Sequence, residues 1–402
     1  MNTPFSRRRF LGAGAGASCA LAFDSLLCSR FLSRQSVPAW AQDIAPALDD
    51  FVAEEFGDES DFVKEAMHYK KLEAKRVECT LCPRACQVAD RERGTCGVRE
   101  NRDGSYFTLV HSRAVSRNID PIEKKPLFHY RPGTTALSIA TAGCNIECKF
   151  CQNWEISQFR PEQVRAIRLT PDRLVEMARE YDCPSIAYTY SEPVIFYEYM
   201  YDTGKKAIAS GVGSVIISNG YIQEKALLDL LPQLTAVKID LKAFTEKFYK
   251  DVCSGELKPV LDTLKVLKKS GMWFEIVVLL VPTLNDDPSE IREMCKWVCG
   301  ELGPDVPMHF SRFHPTYRIR SLPPTPAKTL ETAYRIAREE GVRYVYLGNV
   351  PGHKAESTYC PKCGVRLVHR YGYRILENRI REGKCSDCDE IIPGVWTDPL
   401  KT

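Results

Sequence analysis

Three cysteines, Cys144, Cys148 and Cys151, stand in a C-x3-C-x2-C array within Gly143-Cys144-Asn145-Ile146-Glu147-Cys148-Lys149-Phe150-Cys151. Three thiolates on one short loop can hold three irons of a 4Fe–4S cube and leave the fourth without a protein ligand. A structural metal site normally closes its coordination shell with four ligands, whereas an open position admits a substrate or cofactor. A zinc knuckle completed by a distant fourth ligand is the competing arrangement. Phe150 just before the last cysteine, and the position of the array after a strand-like run, favour the cluster.

Two further cysteine sets flank this loop. Cys79, Cys82, Cys86 and Cys96 offer four thiolates within 18 residues, with Pro83, Gly94 and Gly97 supplying turns. Four ligands suit a closed site, either tetrathiolate zinc or a second 4Fe–4S cluster, with disulfides as the alternative. A second cluster could relay electrons, whereas zinc would only hold the segment together. Cys360-x2-Cys363 and Cys385-x2-Cys388 form two knuckles with Gly364 and Gly383 nearby, a rubredoxin-like or zinc-ribbon spacing. A tetrahedral set of sulfurs there accepts zinc or one iron. Arg366, His369, Arg370 and Arg374 make nucleic-acid binding by this module conceivable, although such a charge run is usually a solvated face. Cys183, Cys253, Cys295 and Cys299 belong to no motif and read as small buried residues.

These sulfurs need a scaffold. Across 402 residues, 44% apolar content is enough for a sizeable core and excludes a largely disordered chain. With 55 Lys+Arg against 52 Asp+Glu, the charge balance makes no general electrostatic case for nucleic acid. No apolar run reaches the roughly 18 residues of a membrane span. From residue 134 onward, short β-rich runs (Leu137–Ala140, Ser185–Tyr190, Ser214–Ser218, Ala236–Leu241, Trp273–Val281, Pro307–Phe310) alternate with helical patterns near 171–181, 194–210, 223–231, 258–270, 288–301 and 328–340. Six repeats of this alternation predict an α/β fold, a parallel sheet curled into a partial (β/α)6 barrel, with Tyr344–Leu347 as a seventh edge run. In such barrels reactive groups gather at the C-terminal strand ends. Most of these strands end there in a polar group: Cys144, Ser191-Glu192, Asn219, Asp240 with Lys242, and His309. The expected layout is a leader over 1–41, a helical and four-cysteine segment over 42–133, the barrel over 134–350 and the four-cysteine module over 351–402.

C-x3-C-x-Phe-C after the first barrel strand resembles the radical S-adenosylmethionine (SAM) superfamily. The runs Asp120-Pro121-Ile122-Glu123-Lys124-Lys125-Pro126-Leu127, Gln152-Asn153-Trp154-Glu155-Ile156-Ser157 and Ala187-Tyr188-Thr189-Tyr190-Ser191-Glu192-Pro193 narrow the resemblance. With Asp240-Leu241-Lys242 and Arg312-Phe313-His314-Pro315, they are similar to the AmmeMemoRadiSam-system radical SAM enzymes, relatives of pyruvate formate-lyase activating enzymes. The resemblance implies a 4Fe–4S cluster on Cys144, Cys148 and Cys151, with Phe150 in the aromatic slot. It implies SAM on the open iron, and one-electron cleavage to methionine and a 5′-deoxyadenosyl radical that takes hydrogen from a substrate. The cluster must lie toward the reducing end of the roughly −700 to +450 mV range of such centres. Glu192 is implied for the SAM amino group, Asn219 for its carboxylate or ribose, Asp240 and Lys242 for ribose and carboxylate, and His309 for adenosine. Ser191 stands where related sequences often carry Asn or Gly. Implied partners are a flavodoxin- or ferredoxin-type electron donor and a protein of Memo-like or AMMECR-like kind; glycyl-radical activation is one branch. RNA or small-molecule modification, or a non-enzymatic electron-transfer scaffold, are the rivals.

Ser6-Arg7-Arg8-Arg9-Phe10-Leu11, an apolar run from Gly12 to Phe23 and Ala39-Trp40-Ala41 read as a twin-arginine-type export signal with a cleavage site. Export would separate the enzyme from cytoplasmic SAM and reductant, so the address and the chemistry pull in opposite directions.

Overall fold

The computed structural model describes residues 58–398 and Leu400, which leaves the leader motif outside the described residues. Runs rich in Val, Ile and Ala, too short for helices and buried on both faces, become the central strands of one sheet. Its strands are β1 (Ser116–Pro121), β2 (Thr135–Ala140), β3 (Ser185–Tyr188), β4 (Gly213–Ser218), β5 (Ala236–Asp240), β6 (Phe274–Leu280), β7 (Met308–Arg312) and β8 (Val345–Gly348). They lie side by side in chain order. β2 to β8 are parallel, and β1 pairs antiparallel with β2 as one edge. No hydrogen-bonded pairing joins β1 to β8 among the described residues, so the sheet is open. The seventh parallel strand is the edge run expected at Tyr344–Leu347, and β1 adds an antiparallel edge that the sequence pattern did not announce.

Each pair of parallel strands is linked by helix: α1 (Pro171–Glu180), α2 (Tyr197–Ala209), α3 (Glu224–Leu230), α4 (Glu246–Cys253), α5 (Leu257–Ser270), α6 (Pro288–Trp297) and α7 (Ala327–Glu339). Local chemistry sets their ends. Thr170 caps α1 by accepting from the Arg173 N–H, with Pro171 at the first turn. Asp287 caps α6 in the same manner, and Gly271 at φ +74° ends α5. Among the described residues no helix is long and apolar enough to cross a membrane.

The acidic-then-basic stretch 42–76, whose pattern of Phe51, Phe62, Val63 and Met67 suggests an outer helix or a tether, is not helical where it is described, from residue 58 on. Glu59–Phe62 is a single 3₁₀ turn, and Lys64–Glu65 pairs with Phe107–Thr108 as strand. Phe62 is buried under the Arg113 guanidinium, 4.9 Å from its ring centroid, so tertiary contact overrides a weak periodicity. Tyr69–Lys71, Val77–Cys79 and Gln87–Val88 make a small sheet that carries Cys79. The buried pair Arg99–Glu198, with Nη2 2.5 and 2.6 Å from the two carboxylate oxygens, joins this segment to α2. At the other end, β9 (Arg366–Tyr371) and β10 (Arg374–Asn378) form a hairpin. Leu367 and Val368 of that hairpin pack with Cys360, Cys385 and Ile392 against Phe128, Tyr344 and Tyr346.

Candidate functional site

The cysteine loop leaves the C-terminal end of β2 through Gly143. Gly143 has φ +100°, and a Cβ there would sit 2.6 Å from Val98 Cγ1 and 2.9 Å from the Cys96 carbonyl oxygen, so only glycine passes. Backbone bonds hold the loop on both sides. Glu147 N–H donates to the Cys253 carbonyl (2.8 Å), Lys149 N–H to that of Val252 (2.9 Å), and Arg84 Nε to that of Asn145 (2.9 Å). Phe150 is buried near Phe248, with ring centroids 6.0 Å apart, and Lys242 Nζ lies 5.8 Å from its centroid. The pinned loop turns Cys144, Cys148 and Cys151 toward one cavity of about 500 Å³, within the range of small-ligand sites. All three are free thiols. Burial pushes the Cys144 and Cys151 thiols up, while a hydrogen bond with Cys253 holds Cys148 down.

The other strand-end residues meet the loop at this cavity. Glu192, Asn219, Asp240, Lys242, Phe150 and His309 all line it. Glu192 accepts from the N–H groups of Val194 (3.0 Å) and Asn219 (2.8 Å) and from the Ser218 hydroxyl (2.7 Å); burial still raises its carboxyl. Asn219 Nδ2 donates to Asn145 Oδ1 (2.9 Å) and lies 3.9 Å from Cys144 Sγ. Asp240 is held between Lys238 (2.5 Å) and Lys242 (3.4 Å). Burial opposes its ionisation, but the two ammonium groups more than offset that and keep it below the usual carboxylate range. His309 Nε2 is engaged by Glu275 Oε2 at 2.7 Å, and burial keeps the imidazole below its ordinary range. It therefore stands as an oriented wall group, donating to a carboxylate that also accepts from the Phe128 and His129 N–H groups.

Three residues at or beside the cavity escaped the sequence reading. Lys238 was legible, because 238 and 240 share one face of a period-2 strand. Lys125, in the quoted run after Asp120, is buried with Nζ 2.5 Å from Asp120 Oδ2, and Tyr190 and Lys124 also bond that carboxylate. Cys253 carried no motif and meets Cys148 only through the fold, without lining the cavity. Two oxygens on cavity-lining residues, Ser191 Oγ and Glu123 Oε2, are buried without hydrogen-bond partners, which suits contact with a polar ligand.

Cys360, Cys363, Cys385 and Cys388 bring their sulfurs within 4.8 Å of one another, with Cys360–Cys388 at 3.6 Å and Cys363–Cys385 at 3.7 Å. A tetrahedron of Zn–S bonds of about 2.3 Å separates its sulfurs by about 3.8 Å, so the donors fit one metal ion. Glu356, Gly372 and Tyr373, around this module, also line the cavity. Cys79, Cys82, Cys86 and Cys96 are free thiols, not disulfides.

The sequence profile of the Radical SAM superfamily matches residues 138–298, from within β2 to just past α6. That span includes the cysteine loop, Glu192, Asn219, Asp240 and Lys242 and excludes both flanking cysteine sets and His309. The uncharacterized protein MJ0808 of Methanocaldococcus jannaschii is 47% identical over 332 residues, 82% of this chain and 99% of its own length. A second protein of that organism, MJ1632, bears the name of a glycyl-radical enzyme activating enzyme and is 26% identical over 168 residues, 40% of this chain and 62% of that protein. Among solved structures, a domain of the pyruvate-formate lyase-activating enzyme from Bacteroides vulgatus aligns at 13% identity and TM-score 0.37, over 40% of this chain and 98% of that one. A radical SAM methyltransferase from Sphaerobacter thermophilus aligns at 15% identity and TM-score 0.43, over 54% of this chain and 67% of that one. A superfamily profile that takes in the cysteine loop near its start, and a relative alike over nearly its whole length, lead to one conclusion: this chain carries a radical SAM superfamily domain and belongs to one family with that archaeal protein.

Proposed function

We propose that this protein reductively cleaves SAM at a three-cysteine 4Fe–4S centre to abstract hydrogen from a protein or peptide substrate. The observation that carries the reading is the convergence of Cys144, Cys148 and Cys151 with Glu192, Asp240 and Lys242 on one cavity. When bound, the cluster supplies one low-potential electron to the sulfonium of SAM, yielding methionine and a 5′-deoxyadenosyl radical. The chain's own residues do the rest. Cys144, Cys148 and Cys151 would hold three irons. Glu192 offers a carboxyl group to the SAM ammonium, and the Lys238–Asp240–Lys242 triad offers an ammonium to its carboxylate and a carboxylate to its ribose. Asn219 would steady the same end, and His309 closes the wall where adenosine would lie. Phe128, Phe150, Ile217, Val277 and Leu279 supply the apolar part of the wall, which would limit water around a radical that must meet only its substrate.

Glycyl-radical activation of a partner is the branch favoured by the likeness to a protein with that name, and a Memo-like or AMMECR-like partner is the other candidate. A flavodoxin- or ferredoxin-type donor would supply the electron. On this reading the open sheet is a partial (β/α)6 barrel, and the C-terminal quartet is a zinc-ribbon-like clamp at the cavity mouth. Anaerobically reconstituted, reduced protein should release 5′-deoxyadenosine from SAM, and Cys148→Ala should not. Turnover by that variant would overturn the assignment.

A further inference from the structure

The N-terminal cysteine quartet differs from the C-terminal one in a way that bears on its metal. Among the described residues, the C-terminal set is the one group of three or more Cys, His or carboxylate donors lying within 4.8 Å of one another. Cys79, Cys82, Cys86 and Cys96 converge, since Cys79 and Cys86 are joined by a backbone hydrogen bond (2.9 Å) and Cys86 Sγ lies 3.4 Å from Thr95 Oγ1, beside Cys96. Their sulfurs are nevertheless spread more widely than a single tetrahedral ion requires. A polynuclear cluster spaces its four thiolates over a larger body.

A second observation points to a metal of some kind at the quartet. Arg99 is 1% exposed, and its Nε–H has no hydrogen-bond partner. Its guanidinium is close enough to Cys79 and Cys96 for their charges to act on it. A buried N–H without an acceptor is costly, and metal-bound thiolates, in a zinc site or a cluster alike, are acceptors. A zinc tetrathiolate, with its compact sulfurs, would leave the wider spread unexplained.

The position of the quartet suits a relay. Cys79 and Cys82 are buried, while Cys86 and Cys96 are partly exposed. The Cys96–Val98 segment packs directly on Gly143, and Cys96 and Cys144 line one shared cavity. The quartet thus reaches the surface through Cys86 and touches the cysteine loop of the candidate site through Cys96.

We propose that Cys79, Cys82, Cys86 and Cys96 hold a second iron–sulfur cluster that carries electrons from a surface-docked donor to the Cys144 loop. The donor is a one-electron carrier of flavodoxin or ferredoxin type. It is oxidised by one electron, the quartet cluster is reduced by one, and the same electron then passes to the loop centre, with no bond made or broken in the protein. The relay rests on the function proposed above; the metal content of the quartet does not.

The test uses the full chain with Cys144→Ala, Cys148→Ala and Cys151→Ala combined, which leaves the quartet intact. Anaerobic preparation should retain iron and acid-labile sulfide in about equal amounts and give a paramagnetic reduced state by EPR. Zinc in place of iron, or iron without sulfide, would overturn the assignment. Because this variant lacks the SAM site and a single ion in the C-terminal quartet carries no sulfide, its acid-labile sulfide reads the inference alone. In the second arm, Cys82→Ser with Cys86→Ser should lose that iron and slow reduction of the loop centre by flavodoxin at least tenfold. Dithionite should still reduce the loop centre. An unchanged rate with flavodoxin in a variant that has lost the quartet iron would remove the relay.

Discussion

Glu192 already satisfies three protein donors, yet its carboxyl sits at the cavity wall beside the cysteine loop. Glu192→Gln keeps one acceptor oxygen and removes the charge. It is expected to weaken SAM binding about 10- to 100-fold, the roughly 1.5–3 kcal/mol of a hydrogen bond to a charged group. Equilibrium dialysis with labelled SAM checks this, and unchanged affinity would take Glu192 out of the ligand set. Glu123 yields a pH prediction. Burial pushes its carboxyl from 4.5 up to about 7. The folded state therefore binds more protons than the unfolded state between these values, and stability falls as pH rises through that window. Glu123→Gln has no such proton to lose. Its stability relative to the wild type is expected to improve by about 1–3 kcal/mol from pH ~5 to pH ~8. Anaerobic thermal unfolding at both pH values measures it, and a constant difference would show that Glu123 does not titrate there. At this scale the sequence was readable where chemistry repeats in a motif or shares a strand face, as with Cys144, Cys148, Cys151, Asp240 and Lys242. It was silent on Cys253, whose neighbour Cys148 lies 105 residues earlier along the chain.

Between elements, the decisive contact is that of the cysteine loop with the N-terminal segment. Gly143→Ala combines a φ of +100° with a Cβ pressed on Val98 and the Cys96 carbonyl. Relief requires the loop or the 96–98 segment to move. The substitution is expected to cost about 2 kcal/mol or more and to lower the iron held by the loop. Iron per chain and thermal unfolding report both, and wild-type values for the pair would mean that the loop is not pinned there. The strands and helices from 134 onward follow the sequence pattern closely, because long periodic segments carry their own signal. The segment before residue 133 does not. Its strands are two to six residues long; some pair in short hairpins, such as Arg99–Arg102 with Ser105–Thr108, and others with distant partners, such as Lys64–Glu65 with Phe107–Thr108.

For the whole molecule, the C-terminal module is part of the cavity rather than an appendage. Arg370 of β9 is buried, stacks 4.2 Å from the Phe128 ring centroid, and donates to the Phe128 carbonyl (2.8 Å) and Thr358 Oγ1 (2.8 Å). The nucleic-acid role considered for this arginine loses its support, because a buried guanidinium cannot meet a phosphate. Cys363→Ala opens the four-sulfur clamp on the exposed side. It is expected to release the module's metal and to lower stability by about 2 kcal/mol or more, while 5′-deoxyadenosine release from SAM persists. Metal analysis, calorimetry and a SAM-cleavage assay test this together. Abolished cleavage would make the clamp part of the SAM site itself.

The sequence alone determined the grouping of the cysteines into one trio and two quartets, and the alternation of strands and helices that presents polar residues at strand ends. These are local properties, carried by spacing and periodicity over a few residues. Tertiary structure decided which residues share a cavity, that Lys125, Lys238 and Cys253 stand beside the motif residues, and that one quartet is compact while the other is spread against the cysteine loop. Those facts depend on distances between segments far apart in the chain, which only packing and burial fix.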